Sequence, residues 1–375
     1  MKATPSTVVD ARWMGRALEL AERGLGLTSP NPAVGAVVVV AGRALGEGFH
    51  ARAGGPHAEA EALAAAGRYA RDATLYVTLE PCNHAGRTPP CVDVILSAGI
   101  ARVVAAVPDP NPKVAGGGAR ALAAAGIDVT LGCRERDAMT LNRPFFTAAR
   151  RGRPQVTLKW GATLDGKIAD RDRTSRWITG EAARGEGHRL RRISDAVVVG
   201  IGTALADDPA LDVRVGSPWP REPLRVVVDS RARLPAHARV IAAGSPERVV
   251  IAVTDGADPD RVGRLEARGV NVLRCKEQES RVDLVDLLAR LGGLDVVGVL
   301  VEGGAELAGA FLRAGLVDRV AAFVAPMLLG GGMAPGPIAG AGLPLPEGLR
   351  LERLEGRPVG YDWLLEGDVV ASGRA

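Results

Sequence analysis

A histidine, a carboxylate and two cysteines in the first third of the chain could together act on a metal ion. His57 and Glu59 are separated by one residue, and Cys82 and Cys91 follow a strand-like stretch. A neutral imidazole and two thiolates suit Zn²⁺ and leave a fourth tetrahedral position for water. Zinc lowers the pKa of such a water to about 7. Because Glu59 is placed to accept the proton that this water loses, the segment predicts hydrolytic chemistry at zinc.

The order of these residues is typical of zinc nucleobase deaminases, in which His-x-Glu precedes Pro-Cys and a second cysteine. One detail differs, since NHAGRTPP separates Cys82 from Cys91 where most such enzymes have Cys-x-x-Cys. The alternative is a zinc that only stabilises the fold, with His84 as the fourth protein ligand. Glu59, two residues after the first ligand, favours the catalytic interpretation.

Composition bounds the class of protein. A length of 375 residues suggests two or three domains, and 47% of the residues are hydrophobic. The net charge is +4, but most basic residues are arginine and only 3% of the chain is aromatic. A nucleic-acid-binding protein with a structural zinc would instead interleave basic clusters with aromatics. The basic balance therefore favours phosphorylated small substrates.

The cysteine count and the apolar runs indicate the compartment. Four cysteines do not form a disulfide framework, and Cys133 and Cys275 are expected to be ordinary buried or surface residues. No run approaches the roughly 20 apolar residues of a membrane span, and the N-terminus has no apolar segment of the signal-peptide type. The sequence therefore predicts a soluble cytoplasmic protein without a membrane partner.

Alternating strand and helix patterns predict how the metal ligands are positioned. A hairpin over 34–49 precedes a helix over 57–66, and a strand over 74–79 ends just before Cys82. Pro89 and Pro90 suit the start of a helix, so that Cys91 would lie in its first turn. This alternation predicts a layered sheet with helices on both faces.

The first domain is predicted to end near residue 148. A linking helix over 134–141, a turn at NRPFF and a polar stretch from Arg150 mark the boundary. We therefore predict domains over 1–148 and 149–375. The second half also alternates, from a strand over 155–161 to closing strands after Leu349.

Three stretches of the second half carry possible chemistry, namely 157–169, 200–214 and 300–312. Each begins with or follows a predicted strand. In the third, a strand, a glycine pair and a helix would direct backbone N–H groups and a helix dipole at an anion such as a phosphate. Its spacing is not that of the Rossmann fingerprint. Taken alone, such a turn is also a common connector.

From about residue 10 to beyond residue 330, the chain resembles the bifunctional riboflavin-biosynthesis proteins, in which a pyrimidine deaminase is fused to a pyrimidine reductase. The long spacing between the two cysteines is the usual form in that family. The motifs that carry the resemblance are TSPNPAVGAVVV, GPHAE, TLEPCNHAGRTPPC, DPNPKVAGGG, LKWGATLDGKIA, SRWITG, TALADDPALDVR and VEGGAELAGAFL.

The resemblance implies a cytidine-deaminase-like three-layer α/β/α domain followed by a dihydrofolate-reductase-like α/β domain. It implies one Zn²⁺ per chain, NADPH, and a phosphorylated pyrimidine, 2,5-diamino-6-ribosylamino-4(3H)-pyrimidinone 5′-phosphate. Deamination would be followed by reduction of the ribosyl group to a ribityl chain. It also implies a homo-oligomer, a dimer or a tetramer, and no nucleic-acid partner.

The resemblance also implies roles for individual residues. Glu59, Asp207 and Lys159 would be catalytic. The nicotinamide cofactor would contact Ala162, Trp177, Thr203, Asp207, Ser230, Gly304, Ala305, Glu306 and Leu307. The substrate would contact Asn31, Ser175, Arg191, Leu211, Arg214 and Glu302.

Three alternatives remain at this point. Asp207 precedes Asp-Pro, a position where aspartate often only caps a turn. Ser230 and Arg231 are compatible with binding a 2′-phosphate, but a Ser-Arg turn is common. The first domain alone would also suit a deaminase of another base, with the second half a regulatory or binding module, because pocket loops set substrate choice.

Overall fold

The computed structural model describes residues 6–84, 89–111, 117–214, 216 and 219–370. The chain forms two compact units, Met1–Gly152 and Arg153–Ala375, which we describe separately. Over the described residues, no helix is long and apolar enough to cross a membrane.

The first unit is built on one five-stranded sheet in the order β2-β1-β3-β4-β5. Strand β1 is antiparallel to β2 and β3, whereas β3, β4 and β5 are parallel. The elements are α1 (Val8–Glu22), β1 (Gly35–Val40), β2 (Arg43–Phe49), α2 (Ala58–Ala66), β3 (Thr74–Val77), α3 (Cys91–Ala98), β4 (Arg102–Ala105), α4 (Gly117–Ala124), β5 (Asp128–Leu131), α5 (Glu135–Leu141) and α6 (Arg143–Arg151).

Two glycines show that helices cover both faces of this sheet. A Cβ on Gly35 would lie 2.0 Å from the carbonyl oxygen of Ala17 in α1, and a Cβ on Gly48 would lie 2.5 Å from that of Ala58 in α2. Gly35 pairs with Phe49, and the next pair is Ala36 with Gly48, so the two glycines face opposite sides. The predicted three-layer arrangement is confirmed.

The NRPFF segment was predicted as a turn, and this prediction is wrong because the segment begins helix α6. Pro144 occupies the first turn of that helix, where its missing N–H costs nothing. The side-chain amide of Asn142 accepts a hydrogen bond from the backbone N–H of Ala33 and donates one to its carbonyl oxygen, both at 2.8 Å. The predicted boundary at residue 148 falls inside α6, whereas the division between the units follows Gly152.

The second unit contains a nine-stranded sheet in the order β10-β9-β8-β7-β13-β6-β14-β16-β15. The first seven strands are parallel to one another. Strand β16 pairs antiparallel with both β14 and β15. The elements are β6 (Gln155–Thr163), α7 (Glu181–Arg192), β7 (Ala196–Gly200), α8 (Ile201–Asp207), β8 (Leu224–Val228), α9 (Arg239–Ala242), β9 (Val249–Val253), α10 (Pro259–Glu266), β10 (Asn271–Arg274), β11 (Glu277–Gln278), β12 (Arg281–Val282), α11 (Leu284–Gly292), β13 (Gly298–Glu302), α12 (Ala305–Arg313), β14 (Arg319–Ala325), β15 (Arg350–Val359) and β16 (Asp362–Val370).

The strand order of the second unit brings the three chemical stretches together. Strand β13 lies between β7 and β6, and all three run in the same direction. In open α/β sheets ligands bind outside the carboxyl ends of the strands. The stretches 157–169, 200–214 and 300–312 each contain the carboxyl end of one of these strands. They therefore converge on one edge of the sheet.

Candidate active sites

The predicted metal ligands come together in the first unit. The ligand atoms of His57, Cys82 and Cys91 all lie within 4.8 Å of one another. His57 Nδ1 is 3.2 Å from the Cys91 sulfur and 3.6 Å from the Cys82 sulfur. Atoms that share one tetrahedral zinc, with bonds of about 2.0–2.3 Å, are separated by roughly 3.5 Å. The two thiols and the imidazole thus have the chemistry and spacing of a zinc site.

Two helix starts hold these ligands in place. His57 is the residue before α2, and Cys91 is the first residue of α3. A helix N-terminus favours a thiolate over a thiol. The backbone N–H of Cys91 also donates to the Cys82 sulfur at 3.4 Å. Local backbone geometry therefore fixes all three ligand positions.

The electrostatics of this cluster favour the thiolate at Cys82 and raise the pKa values of Cys91 and Glu59. The hydrogen bond with Cys91 lowers the pKa of the Cys82 thiol to about 4. The same hydrogen bond, together with burial, raises the pKa of Cys91. Glu59 is 4% exposed in the first turn of α2, and burial raises the pKa of its carboxyl group. A raised pKa makes a carboxylate a better proton acceptor, as a general base requires.

His84, the alternative fourth ligand, lies outside the cluster that the described residues form, and it is exposed. The described part of the chain thus offers three protein ligands at this point. Zinc with three protein ligands is the catalytic arrangement, because a position remains for water or substrate.

A second histidine, His50, was missed by the sequence analysis. Its Nδ1 lies 2.9 Å from the Pro56 carbonyl, which can only accept, so Nε2 accepts from the Asn31 amide at 3.3 Å. The His50 ring is 3% exposed and contacts the His57 ring edge to face, with centroids 5.4 Å apart. His50 thus connects the exposed Asn31 to the metal ligand. Its one sequence signal is an isolated histidine after strand β2.

The second unit contains a cleft of about 2260 Å³ at the edge where the three stretches converge. Of the residues predicted to act there, Ala162 is a buried residue of β6 that does not line the cleft. The residues that do line it are Lys159, Ser175, Trp177, Arg191, Thr203, Asp207, Leu211, Arg214, Ser230, Glu302, Gly304, Ala305, Glu306 and Leu307.

An ion triad lies at the base of the cleft. Both oxygens of Glu302 accept from Arg191, at 2.7 and 2.9 Å, and Lys159 Nζ lies 3.5 Å from Glu302. Burial alone would raise the pKa of Glu302, but the two cations outweigh burial and lower it to about 2. Gly187 lies next to this lysine, since a Cβ there would be in ordinary contact with Nζ, at 3.5 Å.

The two arginines predicted to bind substrate differ in how many of their nitrogens already donate hydrogen bonds within the protein. Arg191 uses three of its nitrogens on Glu302 and on the Asp212 carbonyl. Arg214 is exposed, and its Nε donates to Asp212 at 3.0 Å. Arg214 is therefore the freer of the two to bind an anion from solvent.

Asp207 is the last residue of α8, and Asp208 adopts the left-handed conformation that ends the helix. The Asp207 carboxylate lies 3.7 Å from Arg176, which also donates to the Asp207 carbonyl at 2.6 Å. The carboxylate therefore faces a cation at the cleft and does not cap the turn. Its catalytic role remains a prediction.

The glycine pair before α12 forms the predicted turn between a strand and a helix. Gly303 and Gly304 have φ values of 74° and 83°, a region that strongly favours glycine. A Cβ on Gly304 would lie 2.9 Å from Thr203 Oγ1. Ser230, across the cleft, accepts from the Val282 N–H at 3.0 Å. The open backbone N–H groups at this helix start are suited to phosphate.

Comparison with known proteins agrees with both sites. Residues 7–107 match the family described as cytidine and deoxycytidylate deaminase zinc-binding region, and residues 154–365 match the RibD C-terminal domain. The riboflavin biosynthesis protein RibD of Aquifex aeolicus is 43% identical over 328 residues, covering 88% of this chain and 90% of the relative. That of Escherichia coli K12 is 45% identical over 333 residues, covering 86% and 89%.

Two solved structures share the fold of the whole chain. RibD of Acinetobacter baumannii is 40% identical and has a TM-score of 0.87, covering 96% of this chain and 99% of that one. The Thermotoga maritima protein, described as a diaminohydroxyphosphoribosylaminopyrimidine deaminase and 5-amino-6-(5-phosphoribosylamino)uracil reductase, is 35% identical with a TM-score of 0.81 and the same coverage.

The two units thus define a zinc-dependent deaminase joined to a reductase in one chain. At 43% and 45% identity over most of its length, the chain belongs to the RibD family of bifunctional riboflavin-biosynthesis enzymes. This membership excludes the alternative in which the second half is only a regulatory or binding module.

Proposed function

We propose that the first unit deaminates 2,5-diamino-6-ribosylamino-4(3H)-pyrimidinone 5′-phosphate and that the second unit then reduces the ribosyl group with NADPH. The product would be 5-amino-6-ribitylamino-uracil 5′-phosphate. The observation that carries the proposal is the cluster of His57, Cys82 and Cys91 beside the buried Glu59. The deaminase and reductase activities named for the Thermotoga maritima relative support the choice of substrate.

In the deaminase unit, His57, Cys82 and Cys91 would hold one zinc ion. Bound zinc supplies a Lewis acid that acidifies water at neutral pH. Glu59 would take the proton from the attacking water and deliver it to the leaving nitrogen, so that C–N is replaced by C–O and ammonia departs. The burial that raises the pKa of Glu59 suits a group that must hold this proton between the two steps.

In the reductase unit, NADPH would supply a hydride to the sugar carbon that bears the nitrogen. Opening the ribose breaks the bond from that carbon to the ring oxygen, and the ring oxygen must then gain a proton. Lys159, 22% exposed at the base of the cleft, is the cation we assign to this transfer. Glu302 and Arg191 would orient it, and Asp207 would lie beside the nicotinamide.

Two parts of the cleft are suited to bind the phosphate groups of a nicotinamide cofactor. The start of α12 would bind the diphosphate, and Ser230 with Arg231 would bind the 2′-phosphate that distinguishes NADPH from NADH. Both Ser230 and the start of α12 line the same cleft. Trp177, 67% exposed, offers an aromatic surface at its mouth.

We also propose a cytoplasmic homo-oligomer, a dimer or a tetramer. Free thiols as metal ligands and a reduced nicotinamide cofactor are typical of a reducing compartment. Strand β15 is the outer strand of its sheet and carries exposed Leu351 and Leu354. An exposed edge strand with apolar side chains favours association with another chain.

The test uses the full chain with the proposed pyrimidine and NADPH. We expect ammonia release without NADPH, and loss of the reduced-nicotinamide absorbance only after ammonia has been released. Ammonia release without nicotinamide oxidation would refute the reductase half of the proposal. Nicotinamide oxidation before deamination would refute the proposed order.

A further inference from the structure

His188 is a cleft residue to which neither the sequence motifs nor the family resemblance assigns a role. It lies on α7, three residues before Arg191, so the two side chains share one face of the helix. It is half-buried and lines the cleft together with Lys159 and Glu302. The adjacent Gly187 lies next to Lys159, since a Cβ there would be 3.5 Å from Nζ. His188 therefore lies beside the ion triad.

One ring nitrogen of His188 is already engaged. The backbone N–H of Arg214 donates to His188 Nδ1 at 3.3 Å. A nitrogen that accepts a hydrogen bond cannot carry a proton, so the hydrogen of the neutral ring is on Nε2. Within the described residues, Nε2 makes no hydrogen bond. The ring therefore has one free donor in the cleft.

Burial and two nearby arginines favour the neutral form of this ring. The same arginines would attract an anionic ligand. Burial, and then the charges of Arg191 and Arg214, lower the pKa of His188. Arg214, one of the residues predicted to bind substrate, is exposed. The bond from its backbone N–H to His188 Nδ1 fixes the loop that carries it. An anion bound by Arg214 would lie next to the free N–H. Hydrogen bonds with an ionised acceptor are among the stronger ones in proteins.

We infer that His188 is a substrate-binding residue of the reductase unit: Nδ1 fixes the loop of Arg214, and Nε2–H donates to the phosphate of the substrate. The inference rests on the proposed function, which supplies a phosphorylated substrate. It makes His188 and Arg214 a pair that recognises the phosphate, while Arg191 remains committed to Glu302.

Two substitutions of His188 test the roles of Nδ1 and Nε2 independently. His188→Asn keeps an oxygen near the position of Nδ1 and has no donor at the position of Nε2. His188→Gln keeps an N–H near the position of Nε2 and removes the acceptor for Arg214. Each full-length variant is assayed for reduction of the deaminated substrate with its phosphate and after the phosphate has been removed. Ammonia release by the deaminase unit and the thermal unfolding temperature are the controls for folding.

We expect His188→Asn to raise KM for the phosphorylated substrate about 10- to 100-fold, the scale of a hydrogen bond to a charged group. KM for the dephosphorylated substrate should change little. His188→Gln should recover part of the lost affinity for the phosphorylated substrate, because it restores the donor but not the acceptor that fixes the Arg214 loop.

Several results would overturn the inference. An unchanged KM in His188→Asn excludes the contact, and an equal rise for both substrates excludes the phosphate as the acceptor. A larger defect in His188→Gln than in His188→Asn, or unfolding of both variants, would assign the imidazole to the structure of the loop. If the unmodified chain does not reduce the substrate, the proposed function itself fails, and this outcome is distinct from the others.

Discussion

Two buried glutamates, one in each unit, have carboxyl pKa values that are shifted in opposite directions. Glu59 is 4% exposed and Glu302 is 7% exposed. Burial raises the pKa of Glu59, because the charged form loses its hydration. Arg191 and Lys159 reverse the same effect at Glu302. The first carboxyl is thus suited to carry a proton, and the second to remain an anion that orients cations.

Replacement of Glu59 tests its role as the proton carrier. Glu59→Gln keeps the size and hydrogen bonding of the side chain but cannot accept a proton. We expect ammonia release to fall by a factor of roughly 10² or more, the usual scale of general acid–base catalysis. Zinc content, measured by metal analysis, should be unchanged. Near-normal turnover would exclude Glu59 as the base.

The ligand set is tested by a pair of cysteine substitutions in the same unit. Cys91→Ser removes a thiolate from the cluster, and we expect loss of both zinc and ammonia release. Cys133→Ser is the matched control, because Cys133 is also buried but lies outside the cluster. Metal analysis should find zinc in the Cys133 variant. Full zinc in Cys91→Ser would contradict the ligand assignment.

The ion triad should make the second unit sensitive to acid. Glu302→Gln leaves Arg191 and Lys159 without their shared anion, so we expect a loss of about 3–5 kcal/mol in the free energy of unfolding at neutral pH. Because the folded state lowers the pKa of Glu302, its contribution is complete above the ordinary pKa of 4.5 and declines as pH falls toward about 2.

Denaturant titration at several pH values measures this effect. The difference between the unmodified chain and Glu302→Gln should shrink on acidification. Glu306→Gln is the control, since Glu306 pairs with Arg281 at the surface, where such pairs contribute at most about 1 kcal/mol. Equal losses in both variants at neutral pH would contradict the assignment.

Among the elements, the contact of strand β2 with helix α2 sets the position of the catalytic residues. Gly48 allows the helix backbone to approach the sheet closely, and α2 carries Glu59 and follows His57. Gly48→Ala would put a Cβ 2.5 Å from the Ala58 carbonyl oxygen, so the helix must shift. Overpacking of this kind costs about 1–3 kcal/mol.

Gly48→Ala should therefore lower both the free energy of unfolding of the deaminase unit and its rate of ammonia release. Gly117→Ala, at a helical position where a Cβ has no neighbour within 4 Å, is the control. Denaturant unfolding and ammonia release check both variants. A Gly48→Ala variant with normal stability and activity would show that the approach of α2 is not constrained.

The elements also show what could be predicted from the sequence. The apolar runs of β1, β7, β8 and β9 and the periodic helices were recognised because side-chain burial dictates their patterns. Helix α6 was missed because Pro144 reads as a breaker, although a first-turn proline is compatible with a helix. Helix α8 and the hairpin of β11 and β12 were missed because they are too short to show a period.

The candidate sites could be predicted only in part. The metal ligands are adjacent in sequence motifs, so their types and spacing were sufficient. His50 and His188 carry no motif, and their importance depends on contacts with Asn31 and Arg214, which the tertiary structure creates. The ion pair between Arg191 and Glu302, which are 111 positions apart in sequence, likewise depends on the strand order.

At the scale of the whole molecule, each unit has the parts of an independent domain. The buried apolar cluster of the first unit extends from Met14 to Phe146, and those of the second begin at Val156. The two units also have separate main sheets. A domain with its own core and sheet can fold alone.

We therefore expect a chain ending at Gly152 to fold, bind zinc and release ammonia, and a chain beginning at Arg153 to oxidise NADPH with the deaminated substrate. A chain ending at Ala148 is the matched comparison, because it lacks the last turn of α6 and the left-handed Gly152 that ends this helix. Its thermal unfolding temperature should be lower than that of the chain ending at Gly152. If both shortened chains are insoluble or free of zinc, the deaminase unit depends on the rest of the protein, and the proposed independence of the two domains is wrong.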